Sequence, residues 1–186
     1  MTFVFFAEGF EEIEALTVVD ILRRIGRKVT TVGVGGRTIR GAHGIPVICD
    51  AQEEDVSPDD LEMVVIPGGM PGVSNLEKSP VVKKFIQAAE EQGAYLAAIC
   101  AGPSLLGKMG LLQGKKAVCY PGFEQELTGA ILTGEFVQQD GRIITAKGPG
   151  VSMEFALRLA ELLSSDTGSQ AVKNFEEMKA ALQCRS

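Results

Sequence analysis

Five apolar residues, Tyr95-Leu96-Ala97-Ala98-Ile99, run without a break into Cys100-Ala101-Gly102-Pro103, and Ser104-Leu105-Leu106 follows. A short, wholly apolar run bounded by turn residues reads as a buried strand. The small residues and the proline then force a sharp turn into a helix. The result is a strand–turn–helix elbow with a thiol at the turn. A thiol there is lifted out of the sheet to a helix N-terminus, where the dipole and free backbone N–H groups favour the thiolate. The alternative is a buried cysteine that closes a core strand, because free cysteine often fills cores.

The rest of the chain alternates in the same way. Residues 2–7 form a short apolar run. Residues 11–26 carry Ile13, Leu16, Val19, Leu22 and Ile25 at helical spacing, with Gly26 as the stop after Arg23-Arg24. Strands are expected at 28–34, 46–49 and 61–66, the last ending in Pro67-Gly68-Gly69. Ser79-Pro80 starts a helix that Gly93 ends. A strand at 115–119, a hairpin turning at Asp140-Gly141 and helices at 151–163 and 169–182 complete the chain. This order predicts an α/β fold of one domain over residues 1–186, with a mostly parallel sheet between two helical layers. Ligands of such folds bind at the carboxyl ends of the strands, where Cys100 and Gly68-Gly69 gather.

With 18 Lys+Arg against 24 Asp+Glu, the net charge is -6 and no basic block occurs. Nucleic acid and anionic membrane are therefore not expected as partners. The run Phe3-Val4-Phe5-Phe6 is too short for a signal-peptide core, and no stretch has the length of a membrane span. The expected location is the cytoplasm. Cys49, Cys100, Cys119 and Cys184 are widely spaced, so free thiols are expected there. The only histidine is His43, and no metal site is expected.

Four segments together resemble the DJ-1 family of the DJ-1/PfpI superfamily. They are Ala7-Glu8-Gly9-Phe10-Glu11-Glu12-Ile13-Glu14, Val65-Ile66-Pro67-Gly68-Gly69, Ala98-Ile99-Cys100-Ala101-Gly102-Pro103 and Lys147-Gly148-Pro149-Gly150. The resemblance implies a flavodoxin-like sandwich, usually as a homodimer. It casts Cys100 as the nucleophilic, oxidation-sensitive cysteine and Glu14 as the glutamate that touches it. Gly69 and Ala101 would supply an oxyanion pocket from their backbone N–H groups, beside Gly68. Cys49 matches a peripheral cysteine near the dimer interface, and Arg24 an arginine near the same place. The chain departs from many superfamily members in carrying Tyr120 where a histidine would stand near the cysteine. A Cys-His-acid triad, and with it a peptidase, is therefore not expected. Tyr120 is read instead as pocket lining. His43 is read as a surface loop residue, Cys119 as core filler with a resolving thiol for Cys100 as the alternative, and Glu8, Glu11 and Glu12 as solvated neighbours of Glu14.

The resemblance implies a cofactor-independent conversion of small carbonyls, α-oxoaldehydes above all, of the glyoxalase III or deglycase kind. A carboxyl beside a thiol suits it, because the acid moves protons while sulfur attacks a carbonyl. The other reading is a redox-responsive protein or chaperone whose thiol stops at the sulfinate. The family label of thiazole monophosphate biosynthesis finds no support, since no phosphate-binding glycine loop follows a strand.

Overall fold

The computed structural model describes residues 1–166 and 168–183; Cys184, expected as a free thiol, lies outside them. Five strands of the central sheet come from the apolar runs: β1 (Thr2–Phe6), β2 (Val29–Gly33), β6 (Met63–Ile66), β7 (Tyr95–Ile99) and β11 (Ile143–Ala146). The edges are β5 (Ala51–Gln52) and β10 (Val137–Asp140), and the order is β10-β11-β7-β6-β1-β2-β5. Every pairing is parallel except β10 with β11, the expected hairpin, where Gly141 takes φ +60°.

Alternate side chains of a strand point to opposite faces, so a sheet covered on both sides needs apolar residues throughout. Val4, Phe6, Val65, Ala97 and Ile99 pack under α1 (Glu12–Arg24) and α5 (Ser152–Ser165), with α6 (Ser169–Ala181) beyond. Phe3, Phe5, Val64, Leu96 and Ala98 pack against α3 (Pro80–Gln92) and α4 (Pro103–Lys108). On that side Phe85 meets the rings of Phe3 and Phe5 edge-on, at 4.9 and 5.1 Å between centroids. Helix α3 is framed as its sequence predicts: Ser79 Oγ accepts from Val82 N–H at 3.1 Å, and Gly93 closes it at φ +68°.

The structure departs from the sequence reading in several short elements. The strand at 46–49 is β4 (Pro46–Ile48), which forms a separate hairpin with β3 (Thr38–Arg40). The strand at 115–119 shrinks to β8 (Lys116–Ala117), paired with β9 (Ile131–Leu132) off the central sheet. Helix α2 (Gly72–Lys78) follows the Gly68-Gly69 turn where no helix is expected. Its Gly-Val-Ser-Asn start has weak helix propensity and its Pro71 cap makes no side-chain bond, so tertiary contacts hold it: Val73 and Leu76 are buried, and Asn75 Nδ2 donates to Glu8 O at 3.0 Å. Among the described residues no helix is long and apolar enough to cross a membrane.

Strands β7, β6 and β1 are neighbours at the centre of the sheet. Their carboxyl ends bring Cys100, Gly68-Gly69 and the approach to α1 to one place.

Candidate active site

Cys100 adopts φ +64°, a left-handed conformation that side chains other than Asn and Asp rarely take. The surroundings hold it there. Its N–H donates to Ala146 O of β11 at 2.9 Å, and its carbonyl accepts from Tyr120 N–H at 2.9 Å. The turn closes with Gly102 N–H on Ile99 O at 2.8 Å. A Cβ on Gly102 would stand 2.6 Å from Ile66 O, so only glycine lets the elbow lie against β6. The elbow expected from the sequence is thus built, and the strain at Cys100 aims its side chain off the strand end.

Glu14 lies in the first turn of α1 and is fully buried. Its Oε2 accepts from Gly68 N–H at 2.8 Å and hydrogen-bonds the Cys100 thiol. Its Oε1 has no hydrogen-bond partner among the described residues. Cys100 is half-buried, and the backbone N–H groups of Gly69 and Ala101 donate to its sulfur. Gly69 must be glycine: it takes φ +89°, and a Cβ would meet Glu11 N at 2.4 Å. The structure therefore brings together Cys100, Glu14, Gly68, Gly69 and Ala101.

Electrostatics couple the pair. Burial pushes the Glu14 carboxyl up to about 7, against the Gly68 N–H and Cys100, with the charge of Glu11 adding to the rise. Burial and then the charge of an ionised Glu14 push the Cys100 thiol up to about 12. The second effect exists only while Glu14 is ionised. Two negative charges cannot share so dry a site, so the pair loses one proton at a time. The single charge sits better on sulfur, which has two N–H donors and some solvent, than on a carboxylate with one orphaned oxygen. Thiolate and neutral Glu14 are the expected partners. The donors that hold the thiolate come from the Gly69 turn as well as the elbow, so the short helix α4 is not the main support the sequence suggested.

The remaining expected residues have other partners. Tyr120 is half-exposed, its ring lies over Gly148, and its link to Cys100 is through the main chain. His43 Nδ1 lies 3.0 Å from Glu12 Oε2 and 3.4 Å from Glu11 Oε1, so this imidazole is engaged with the acidic turn. Cys119 is buried in the core of the α3/α4 face, and burial pushes its thiol up to about 11. Cys49 is also buried, and burial pushes its thiol up to about 11. Arg24 is exposed and pairs with Asp20 at 2.7 Å.

One expectation is corrected. Glu12 is not solvated: it is 6% exposed and organises the loop at 41–45. Its Oε1 accepts from His43 N–H at 2.8 Å and from Ile45 N–H at 3.4 Å. Burial raises its pKa, but these bonds and the His43 side chain outweigh burial and leave the carboxyl below its ordinary 4.5. A Cβ on Gly41 would fall 2.2 Å from that carboxylate, so the loop is threaded tightly round it. The sequence signal was the glycines of Gly41-Ala42-His43-Gly44, but nothing local says which acid they enclose.

The model of the DJ-1/PfpI family matches residues 2–162. Protein DJ-1 homolog B of Arabidopsis thaliana is 38% identical over 160 residues; the match covers 84% of this chain but 36% of that longer protein. The glutathione-independent glyoxalase DJR-1.2 of Caenorhabditis elegans is 33% identical over 158 residues, 84% of each chain. The solved structure of oxidized DJ-1 from Toxoplasma gondii matches with a TM-score of 0.90 and 32% identity, over 100% of this chain and 98% of that one. The elbow, the buried acid and these likenesses agree, and the chain belongs to the DJ-1/PfpI family.

Proposed function

We propose that this protein converts small α-oxoaldehydes such as methylglyoxal to hydroxy acids, with Cys100 as nucleophile and Glu14 as the proton-moving group. The observation that carries the reading is a fully buried carboxyl hydrogen-bonded to a partly exposed thiol under two backbone N–H donors. The Cys100 thiolate adds to the aldehyde carbon and forms a hemithioacetal, whose oxyanion the Gly69 and Ala101 amides receive. Glu14 protonates that oxygen, then removes the proton on the former aldehyde carbon to give an enediol and returns one to the neighbouring carbon, while the hydroxyl proton passes to the neighbouring oxygen and leaves a thioester carbonyl. The thioester so formed is hydrolysed by water, releasing the hydroxy acid and the thiol. The sum is oxoaldehyde plus water to hydroxy acid, and no cofactor enters. The name of the nematode relative supports this reaction class. Free thiols suit a reducing, cytoplasmic setting, and a homodimer accounts for Ile13, Ile45 and Ile48, apolar yet 52%, 52% and 75% exposed.

A second reading, a redox-responsive thiol, draws on the same two amides, which suit sulfinate oxygens equally well. The two part on one experiment, in which purified wild type and Cys100→Ser are given methylglyoxal and lactate is followed. Lactate formed by wild type alone is the expected result. Wild type that matches Cys100→Ser ends the enzymatic reading.

A further inference from the structure

The loop at 41–45 brings a second constellation beside the first turn of α1. His43 Nδ1, a Glu11 carboxylate oxygen and a Glu12 carboxylate oxygen all lie within 4.8 Å of one another. Two of the separations are 3.0 Å, His43 to Glu12, and 3.4 Å, His43 to Glu11. Nitrogen and oxygen ligands sit about 2.1 Å from a small divalent transition cation. At that radius two ligands stand about 3.0 Å apart at a right angle and about 3.4 Å apart at the tetrahedral angle. The observed spacings are now a hydrogen bond and an ion pair to one imidazole, and they are compatible with three ligands on one small cation without rearrangement of the backbone.

The two carboxylates are held for the purpose by different means. Glu12 is buried, and the amides of His43 and Ile45 fix its Oε1, which leaves Oε2 facing the imidazole. Hydrogen bonds of this kind to a ligating carboxylate set its direction. Glu11 is tied through its backbone N–H to Gly68 O at 3.0 Å, and its side chain is 16% exposed. His43 is 68% exposed in the single chain, which leaves positions there for water. One imidazolium balances one carboxylate and leaves the second negative. A dication in place of the imidazolium proton answers both charges.

We infer that Glu11, Glu12 and His43 form a binding site for a divalent first-row transition cation, separate from the Cys100–Glu14 pair. Two carboxylates and one imidazole suit the zinc and cobalt class, whereas an all-oxygen set would favour magnesium or calcium. Bound metal joins the 41–45 loop to the start of α1, one turn from Glu14.

The test titrates Co²⁺ into full-length Cys100→Ser protein, followed by visible absorption, so that the reactive sulfur cannot serve as a ligand. Saturation at one Co²⁺ per chain, without a thiolate-to-cobalt charge-transfer band and with displacement by Zn²⁺, is expected. Adding His43→Asn or Glu11→Gln, both on the surface side of the cluster, should weaken binding at least about tenfold, as loss of even an outer-shell partner does. Failure to saturate with millimolar Co²⁺ overturns the assignment. So does a charge-transfer band that persists when Cys184 is also replaced by serine, which would place the metal on Cys49 or Cys119, and so does binding that neither substitution weakens.

Discussion

The Gly68 amide donates to Glu14 Oε2 at 2.8 Å, and a methyl group on that glycine would lie 2.5 Å from the Cys100 Cβ and 2.6 Å from the same carboxylate oxygen. Acid and thiol are therefore pressed together across a residue that has no side chain. Removing a proton from either group changes the cost of removing one from the other.

Replacing Glu14 by glutamine keeps the size and removes the exchangeable acid. Oxoaldehyde turnover should fall by roughly 10²-fold or more, the usual contribution of a positioned acid–base group. The thiolate step, read by ultraviolet absorbance against pH, should move upward, because an amide donates to sulfur more weakly than a carboxylic acid. A step that moves down would put the charge of the wild-type pair on Glu14.

Stability should decline with pH between 4.5 and about 7 on account of Glu14. Its folded pKa is raised, so in that window the folded state holds a proton that the unfolded state has released. Stability then falls as pH rises, by at most on the order of 3 kcal/mol for a shift of this size. Urea unfolding of wild type and Glu14→Gln at both ends of the window checks this. The variant should lose that part of the slope, while His43, Asp50 and the surface groups contribute equally to both proteins.

Gly68→Ala should damage both site and fold. The added carbon meets Cys100 Cβ, Glu14 Oε2 and, at 3.0 Å, the sulfur itself, in a region without slack. Overpacking of this kind costs about 1–3 kcal/mol. A lower melting temperature together with slower iodoacetamide labelling of Cys100 is the expected result. Unchanged labelling would mean that the acid–thiol contact tolerates a spacer.

Mild peroxide should add two oxygens to Cys100 and should not join it to Cys119. The Gly69 and Ala101 amides already face the sulfur, and neutral Glu14 can donate to one new oxygen. Cys119 is buried in the core of the opposite face of the sheet. Intact-mass spectrometry separates a gain of two oxygens from a loss of two hydrogens. In Glu14→Ala the product should move towards the fully oxidised acid.

Light scattering at micromolar concentration should give twice the 19.8 kDa chain mass. Ile48→Lys, which puts a charge on the most exposed of the three isoleucines, should lower it towards the monomer. A monomer mass for wild type removes the dimer proposal.

The central strands and the elbow were legible in the residues alone. Continuous apolar runs such as Tyr95–Ile99 can be satisfied only by burial on both faces, and Ser79-Pro80 and Gly93 frame a helix by purely local rules. The short elements β3, β5, α2 and β9 were not legible, because two to seven residues of weak propensity form only when neighbours pack against them. Sequence pattern alone could not separate Glu14 from Glu11 and Glu12; the family resemblance marked Glu14. All three look like one charged run, yet tertiary structure gives each a different task. The helical turn points Glu14 down onto Gly68 and the sulfur, Glu12 into the 41–45 loop, and Glu11 towards His43. Glu11 precedes the helix in extended backbone while Glu12 and Glu14 stand within its first turn, but which face meets the thiol depends on where β6 and β7 end. The turn at Gly68, 54 residues further along the chain, and the still more distant elbow decided that, through the order of strands in the sheet.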